Sequence, residues 1–181
     1  SDLAIGTLTK DETKAYMATI GQSESGGNYN TVNSIGYVGK YQMGAAALVD
    51  QGYISKELYQ KYGGSNKVLD DPAAWTGPEA VKNGISSKDA FLNAPAVQED
   101  AMQKYTESNY KSLVKNGTIQ PGDDNATVAG AMASAHLLGP GGAYKTRYGD
   151  GGSDAYGTTG ASYVAKGKYA INTLTKNGSL V

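Results

Sequence analysis

Apolar residues recur three and four positions apart along most of the chain, which is the spacing of amphipathic helices. Gly-rich connections separate these segments. Thr9 and Glu12 match a capping box, so we expect a first helix that begins there and ends at about Gly21. The residues that this helix should bury are Tyr16, Met17 and Ile20.

Further helices are indicated downstream, and each has its own boundary signals. Pro95 suits the first turn of a long helix that ends near Asn116-Gly117, and Asn125 is the expected cap of the next, Ala-rich and tightly packed helix.

Residues 21–44 should form a loop or short hairpin strands, residues 63–94 are mixed, and residues 139–160 should form a long Gly-rich loop. Shorter helices are expected at Gly44–Gly52 and Ser55–Tyr62, and a last one carries Tyr163, Ala170, Ile171 and Leu174. The buried face of the Ala-rich helix should comprise Val128, Ala131, Met132, Ala135 and Leu138.

These elements predict a mainly α protein, and nothing in the pattern divides the chain. The length of 181 residues suffices for one domain with a substantial core, so residues 1–181 are expected to form a single domain. Hydrophobic residues make up 39% and charged residues 18%, which is typical of a globular rather than a disordered chain.

Charge and hydropathy narrow the range of partners. The net charge of −1 argues against a nucleic-acid partner, because such proteins normally carry a basic patch. No apolar run reaches the roughly 18 residues that a membrane span needs, so no membrane insertion is expected. The chain begins with Ser1 rather than Met, which suggests a processed form or a segment of a longer protein.

The residue types present leave carboxylates as the main source of chemistry. Cysteine is absent and His136 is the only histidine, so thiol nucleophiles and zinc sites with several Cys or His ligands are excluded. No G-x-S-x-G element accompanies His136, which argues against a serine hydrolase. We expect no cofactor and no metal, since the segment Asp150–Asp154 does not fit an EF-hand loop.

Glu24 is the carboxylate of greatest interest, and two readings of it are open. It is expected just beyond the first helix, where packing against a core would raise the pKa of a carboxyl group enough for general acid catalysis. Cleavage of a glycosidic bond needs such a protonated acid beside the leaving oxygen. The alternative is an ordinary surface glutamate, the commonest setting for this residue type.

Three segments of the chain resemble motifs of the lytic transglycosylases, a family of the lysozyme-like superfamily. Residues 24–43, ESGGNYNTVNSIGYVGKYQM, resemble that family's E-S pair followed by a G-x-x-G-L-M-Q element, with Lys40-Tyr41 where Leu-Met is usual. Residues 135–141 are similar to its A-Y-N-x-G-x-G loop, with His136-Leu137 in place of Tyr-Asn. Tyr163-Val164 resembles the family's late Y-V pair.

The resemblance implies a fold and a set of roles. The fold would be lysozyme-like, α+β with two helical lobes, a small hairpin or loop region and a substrate cleft. Glu24 would be the catalytic acid, and Ser25 and Gln42 would bind substrate or hold the acid in place. Gly39 would let the glycan approach the backbone, because glycine has no Cβ. The remaining substrate-binding candidates are Tyr37, Tyr41, His136 and Tyr163, each of which is equally compatible with a packing role.

The resemblance further implies cleavage of the β-1,4 bond between N-acetylmuramic acid and N-acetylglucosamine in bacterial peptidoglycan. No acidic residue lies between Glu24 and Asp50, where lysozymes usually supply a second carboxylate. This favours transglycosylase chemistry, which needs one acid and yields 1,6-anhydro ends. An inverting, goose-type hydrolase remains the alternative, with Asp50, Asp150 or Asp154 as the base that activates water.

Two interpretations from other classes stay open. One is a non-catalytic glycan-binding module, and the other is a structural part of a phage tail or secretion assembly. Lysins that act alone often carry positive charge to approach the anionic wall. The net charge of −1 therefore favours delivery by a larger virion or secreted protein. The expected location is extracytoplasmic at the bacterial cell wall, or virion-associated, with peptidoglycan glycan strands as the partner.

Overall fold

The computed structural model describes residues 4–149, 152–154 and 157–174. Helices account for 63% of it and strands for 4%, which confirms the mainly α class. The helices are α1 (Lys10–Ser25), α2 (Ala45–Asp50), α3 (Lys56–Lys61), α4 (Pro78–Asn83), α5 (Lys88–Leu92), α6 (Pro95–Lys115), α7 (Asn125–Tyr148) and α8 (Gly160–Asn172), with short 3-10 helices at Asn66–Asp70 and Pro72–Ala74.

The chain forms two compact units. Among the described residues, the first unit comprises Gly21–Tyr105, and the second comprises residues 4–20 together with those from Thr106 to 174. Both boundaries fall inside helices, α1 and α6. The prediction of a single domain is neither supported nor contradicted by this division.

An aromatic cluster forms the centre of the first unit. The rings of Trp75 and Tyr53 both pack on Phe91, with centroids 5.5 and 5.8 Å from its ring. The indole nitrogen of Trp75 donates a hydrogen bond of 2.9 Å to the carbonyl of Leu69, so the buried polar group is satisfied. The cluster ties the short helices of this unit to one core and gives the loop before α2 a rigid base.

The second unit is built around α7, and every residue from Val128 to Ala135 is buried. This all-round burial confirms a central helix, and its Ala and Gly residues allow α8 to approach closely. A Cβ at Gly167 of α8 would collide with the backbone of Ala129, so the two helices touch through their backbones at this point. The predicted capping box at the start of α1 is confirmed: Thr9 N–H donates to the Glu12 carboxylate at 2.9 Å and Glu12 N–H to the Thr9 hydroxyl at 3.0 Å.

Three details around α7 and α1 differ from the prediction. The N-cap of α7 is Asp124, not Asn125, because the Asp124 carboxylate accepts from Thr127 N–H at 2.8 Å. Residues 139–160 are not one loop: Gly139, with φ 77° and ψ 170°, breaks α7, and the helix resumes to Tyr148. Pro140 suits the first turn of the resumed helix because it needs no hydrogen-bond acceptor there. Met17 and Leu138 are half-buried rather than buried.

Candidate functional site

Glu24 lies inside α1, not beyond it, because the helix continues one turn further than predicted, to Ser25. The helix ends where two glycines adopt left-handed backbone angles, Gly26 with φ 67° and Gly27 with φ 82°. The amide of Gly27 donates to the carbonyl of Gly21 at 3.1 Å, which closes the helix end. Glu24 is therefore a half-buried side chain on a hydrogen-bonded helical turn rather than on a loop.

Ser25 connects this turn to the segment that resembles the second family element. Its hydroxyl donates to the carbonyl of Lys40 at 2.6 Å and accepts from Asn28 N–H at 3.0 Å. The absent side chain of Gly21 leaves room for the same segment: a Cβ there would lie 2.8 Å from Lys40 Cε and 3.2 Å from Tyr41 Cε1. The helix end that carries Glu24 is thus packed against Lys40-Tyr41.

The segment between α1 and α2 is a chain of tight turns with isolated antiparallel bridges, Val32 to Val38 and Val38 to Met43. This arrangement agrees with the expected loop or short hairpin. Its turn at Gly39 requires glycine for two reasons. The φ of 80° is in the left-handed region, and a Cβ would collide with the side-chain oxygen of Gln98 on α6.

Gln98 holds the turn from the α6 side and was not singled out by the sequence. Its side-chain oxygen accepts from Lys40 N–H at 2.9 Å, and its amide nitrogen donates to the carbonyls of Tyr29 and Phe91 at 3.1 and 3.0 Å. The side chain is 2% exposed, so these contacts are buried. The sequence signal was a polar residue at helical spacing from Ala101 and Met102, on the face of α6 that points into the core.

Gln42 stands in an unusual backbone conformation for its residue type. Its φ of 51° is the one positive φ among the described residues other than glycine. The side-chain amide donates to the carbonyls of Thr31 and Gly39, at 3.1 and 3.0 Å, and the residue is 8% exposed. These contacts compensate the strained angle and make Gln42 part of the framework of the loop; substrate contact through Gln42 stays a prediction.

The two tyrosines predicted in this segment have different surroundings. Tyr37 is 38% exposed and covers Gly44, where a Cβ would come within 2.6 Å of its ring, so its other face is available to a ligand. Tyr41 is 2% exposed, and its hydroxyl donates to Glu99 at 2.6 Å. Substrate contact by Tyr41 would therefore require the loop to move.

Glu99, on α6, is the carboxylate that contacts the Lys40-Tyr41 segment. One oxygen accepts from Lys40 Nζ at 2.8 Å and from the Tyr29 hydroxyl at 2.7 Å, while the other accepts from Tyr41. The Lys40 ammonium also lies 5.1 Å from the centroids of both tyrosine rings. We call Tyr29, Lys40, Tyr41 and Glu99 the Glu99 cluster.

The charges in the Glu99 cluster stabilise one another. Burial alone would raise the pKa of Glu99, but hydrogen bonds from Lys40, Tyr41 and Tyr29 outweigh it and hold the pKa below its usual value. Burial and the neighbouring carboxylate raise the pKa of the Tyr41 hydroxyl, which therefore stays a donor. Burial would lower the pKa of Lys40, yet Glu99 keeps it above the usual value. The cluster is thus a fixed ion pair with two phenol donors at neutral pH.

Sequence reasoning missed Glu99, although one signal pointed to it. Lys40 is the only cation between Lys14 and Lys56, and it replaces an apolar residue of the family motif. A lone, partly buried cation needs a carboxylate partner. The partner lies 59 positions along the chain, a pairing that no local pattern reveals.

The other predicted residues belong to the second unit. His136 is half-buried on α7, and Tyr163, on α8, is 4% exposed with Lys166 Nζ 4.3 Å from its ring centroid. Glu24, Ser25, Tyr37, Gly39, Tyr41 and Gln42 all belong to the first unit.

The three acids considered as a second carboxylate have different positions. Asp50 is exposed at the end of α2. Asp154 closes a turn by accepting from Thr158 N–H at 2.9 Å, a common use of Asp in loops. Asp150 lies outside the described residues.

A cavity of about 370 Å³ opens in the second unit between α7 and α8. None of the predicted site residues lines it. Its polar lining comprises Thr118, Thr127, Ser134, Thr146, Arg147 and Lys168.

Within residues 4–149, 152–154 and 157–174, no three His, Asp or Glu side chains are grouped closely enough to hold a metal ion. In the same part of the chain, no helix combines the length and the hydropathy that crossing a bilayer requires. No protein-family model, curated protein or solved structure matches this chain.

Proposed function

We propose that this protein cleaves the β-1,4 bond between N-acetylmuramic acid and N-acetylglucosamine in peptidoglycan, with Glu24 as general acid. The observation that carries the proposal is the placement of Glu24. Glu24 is a half-buried residue on a helical turn that Ser25 ties to the backbone of Lys40. A general acid must be held in a fixed place beside the leaving oxygen.

In this mechanism, the Glu24 carboxyl group donates its proton to the glycosidic oxygen as the bond to C1 of the muramic acid breaks. The resemblance to lytic transglycosylases implies that the 2-acetamido oxygen of the same sugar then bonds to C1. Glu24, now a carboxylate, takes the proton of the sugar's own C6 hydroxyl while that oxygen attacks C1 and displaces the acetamido oxygen. The product has a 1,6-anhydro end and Glu24 is protonated again, so one carboxyl group serves as acid and base.

The carboxylates of the first unit favour this route over hydrolysis. An inverting hydrolase needs a second carboxylate that can take a proton from water. Glu99 is a poor candidate, because both of its oxygens already accept hydrogen bonds and its pKa is held low. Asp50 is exposed on α2. The goose-type alternative keeps Asp50, Asp150 and Asp154 as its candidate bases.

With this activity we propose a lysozyme-like fold, α+β with two lobes and a substrate cleft. The partner would be peptidoglycan glycan strands, and the location the cell wall or a virion that reaches it. Contact of Tyr37, His136 and Tyr163 with the glycan is part of the proposal. Tyr37 has the exposed ring that stacking on a sugar requires.

The reaction type can be tested by digesting purified peptidoglycan in water enriched in ¹⁸O and analysing the products by mass spectrometry. Transglycosylation predicts anhydro-muropeptides that are lighter by one water and carry no ¹⁸O. Hydrolysis would place ¹⁸O at the new reducing end and replace the proposed mechanism with the goose-type one. Binding to the sacculus without release of products would instead favour the glycan-binding or structural interpretation.

A further inference from the structure

The side chain of Lys40 connects the helix end that carries Glu24 to α6. A Cβ placed at Gly21 would lie 2.8 Å from Lys40 Cε and 3.2 Å from Lys40 Cγ. The aliphatic part of Lys40 therefore packs on α1 at a position three residues before Glu24. Its ammonium group ends at the carboxylate of Glu99, 2.8 Å away. The backbone carbonyl of Lys40 meanwhile accepts a hydrogen bond from the hydroxyl of Ser25.

Glu99 holds both Lys40 and Tyr41 from the α6 side. The two side chains of the ion pair are only 19% and 26% exposed, so solvent screens their charges incompletely. A Cβ placed at Gly21 would lie 3.2 Å from Tyr41 Cε1, so the ring of Tyr41 also packs on α1 at this point. The Tyr41 hydroxyl donates a hydrogen bond to the second oxygen of Glu99. Both residues that pack on the end of α1 are therefore anchored to the same carboxylate.

We propose that Glu99 is a positioning residue for Glu24. The inference rests on the proposed function of Glu24 and assigns Glu99 no contact with substrate. The Glu99 carboxylate fixes Lys40 and Tyr41, and these two side chains fix the last turns of α1. The same carboxylate also neutralises the charge of Lys40.

Replacing Glu99 by Gln keeps the size and one acceptor oxygen but removes the negative charge. The ammonium of Lys40 then lacks its carboxylate partner, so the Lys40 side chain that packs on α1 loses its anchor and Glu24 is held less firmly in place. A displaced catalytic group can lower turnover by as much as about 10²-fold. We expect kcat on soluble glycan strands to fall about 10- to 100-fold while KM changes little, since Glu99 binds no sugar.

The test compares Glu99→Gln, Lys40→Met and the double variant with the parent, and Glu57→Gln serves as the matched control. Glu57 is 80% exposed in its side chain and pairs with Lys61 on its own helix, at 3.6 Å. If Glu99 acts through Lys40, the double variant should lose no more activity than Glu99→Gln alone. Removing the unpaired cation should even restore part of the turnover.

A second readout does not depend on activity. With ¹³C-carboxyl-labelled glutamate, the Glu24 resonance is assigned by its loss in Glu24→Gln, and its chemical shift is compared between the parent and the variants by NMR. Glu99→Gln should change the chemical shift of Glu24, whereas Glu57→Gln should leave it unchanged.

The outcomes separate the two proposals. An inactive parent whose Glu24 resonance still responds to Glu99→Gln would overturn the proposed function and leave the positioning role standing. Unchanged kcat and an unchanged Glu24 chemical shift in folded Glu99→Gln would overturn the positioning role alone. A fall in melting temperature with full turnover per folded molecule would likewise reduce Glu99 to a structural residue.

Discussion

Replacing Gly39 by Ala tests whether the turn beside Glu24 is held in the way the structure indicates. The new Cβ would occupy the place of the Gln98 side-chain oxygen. Gln98 cannot easily swing away, because it is 2% exposed and its amide already donates to the carbonyls of Tyr29 and Phe91. The substitution should therefore break buried hydrogen bonds in addition to straining the backbone.

The cost has two parts. A side chain at the left-handed φ of 80° costs about 1–2 kcal/mol. Displacing Gln98 leaves the partly buried amide of Lys40, which lies 2.9 Å from the Gln98 oxygen in the parent, without this acceptor, and this costs about 1–3 kcal/mol more. We expect the free energy of unfolding to fall by about 2–5 kcal/mol, the sum of these two ranges.

Gly84→Ala is the matched control. Gly84 has a similar φ of 69°, but a Cβ there meets nothing within 4 Å, so only the backbone part applies. Urea denaturation of the parent and both variants gives the two differences in unfolding free energy directly. Equal destabilisation by the two substitutions would refute the role of Gln98 as the anchor of this turn.

Three further predictions concern other parts of the fold. Gly167→Ala should cost about 1–3 kcal/mol by forcing α7 and α8 apart, whereas Gly141→Ala, with open space at its Cβ, should not destabilise; equal effects would contradict this. The pKa of Glu99 is lower in the folded chain than in the unfolded chain. The stabilisation that ionised Glu99 provides is therefore fully present above the unfolded-state pKa of about 4.3 and is lost as the pH falls through the folded-state pKa. The stability difference between parent and Glu99→Gln should therefore shrink between about pH 5 and 3, and a constant difference would count against the ion pair. Thr9→Ala should lower the unfolding free energy by about 1 kcal/mol through loss of the cap, more than Thr7→Ala, which leaves the Thr9–Glu12 cap in place.

Local signals predicted most helix positions because they act through nearby residues. The capping box at Thr9 marks a helix start because its side chains accept from the first backbone N–H groups. Pro95 marks another helix start because proline has no backbone N–H that needs an acceptor. The Ala-rich stretch of α7 could be identified as central because only small side chains allow close helix packing.

Helix ends were harder to place where tertiary contacts decide them. The sequence predicts an end of the first helix at about Gly21. In the structure, its missing side chain is instead the space in which Lys40 packs, and the helix continues to Ser25. Gly139 was taken as the start of a loop, yet it only interrupts α7, because Pro140 allows the helix to begin again.

Contacts between distant segments escaped the sequence altogether. Motif resemblance located Glu24, Ser25 and Gln42, whose positions are close in sequence. Gln98 and Glu99 come from α6, and the folded chain alone brings them to the Gly39–Tyr41 turn. A buried polar residue in a helix is visible as an exception to the apolar pattern, but its partner is not.

The most direct test of the central claim is the rate at which soluble muropeptides are released from purified peptidoglycan by the parent, Glu24→Gln and the exposed control Glu57→Gln. Circular dichroism should first establish that all three are folded. We predict equal rates for parent and control, and a loss of about 10²- to 10⁴-fold for Glu24→Gln, the usual contribution of a general acid. Parental turnover in Glu24→Gln, or no release by the parent, would contradict the assignment of Glu24 as the acid of a peptidoglycan-cleaving enzyme.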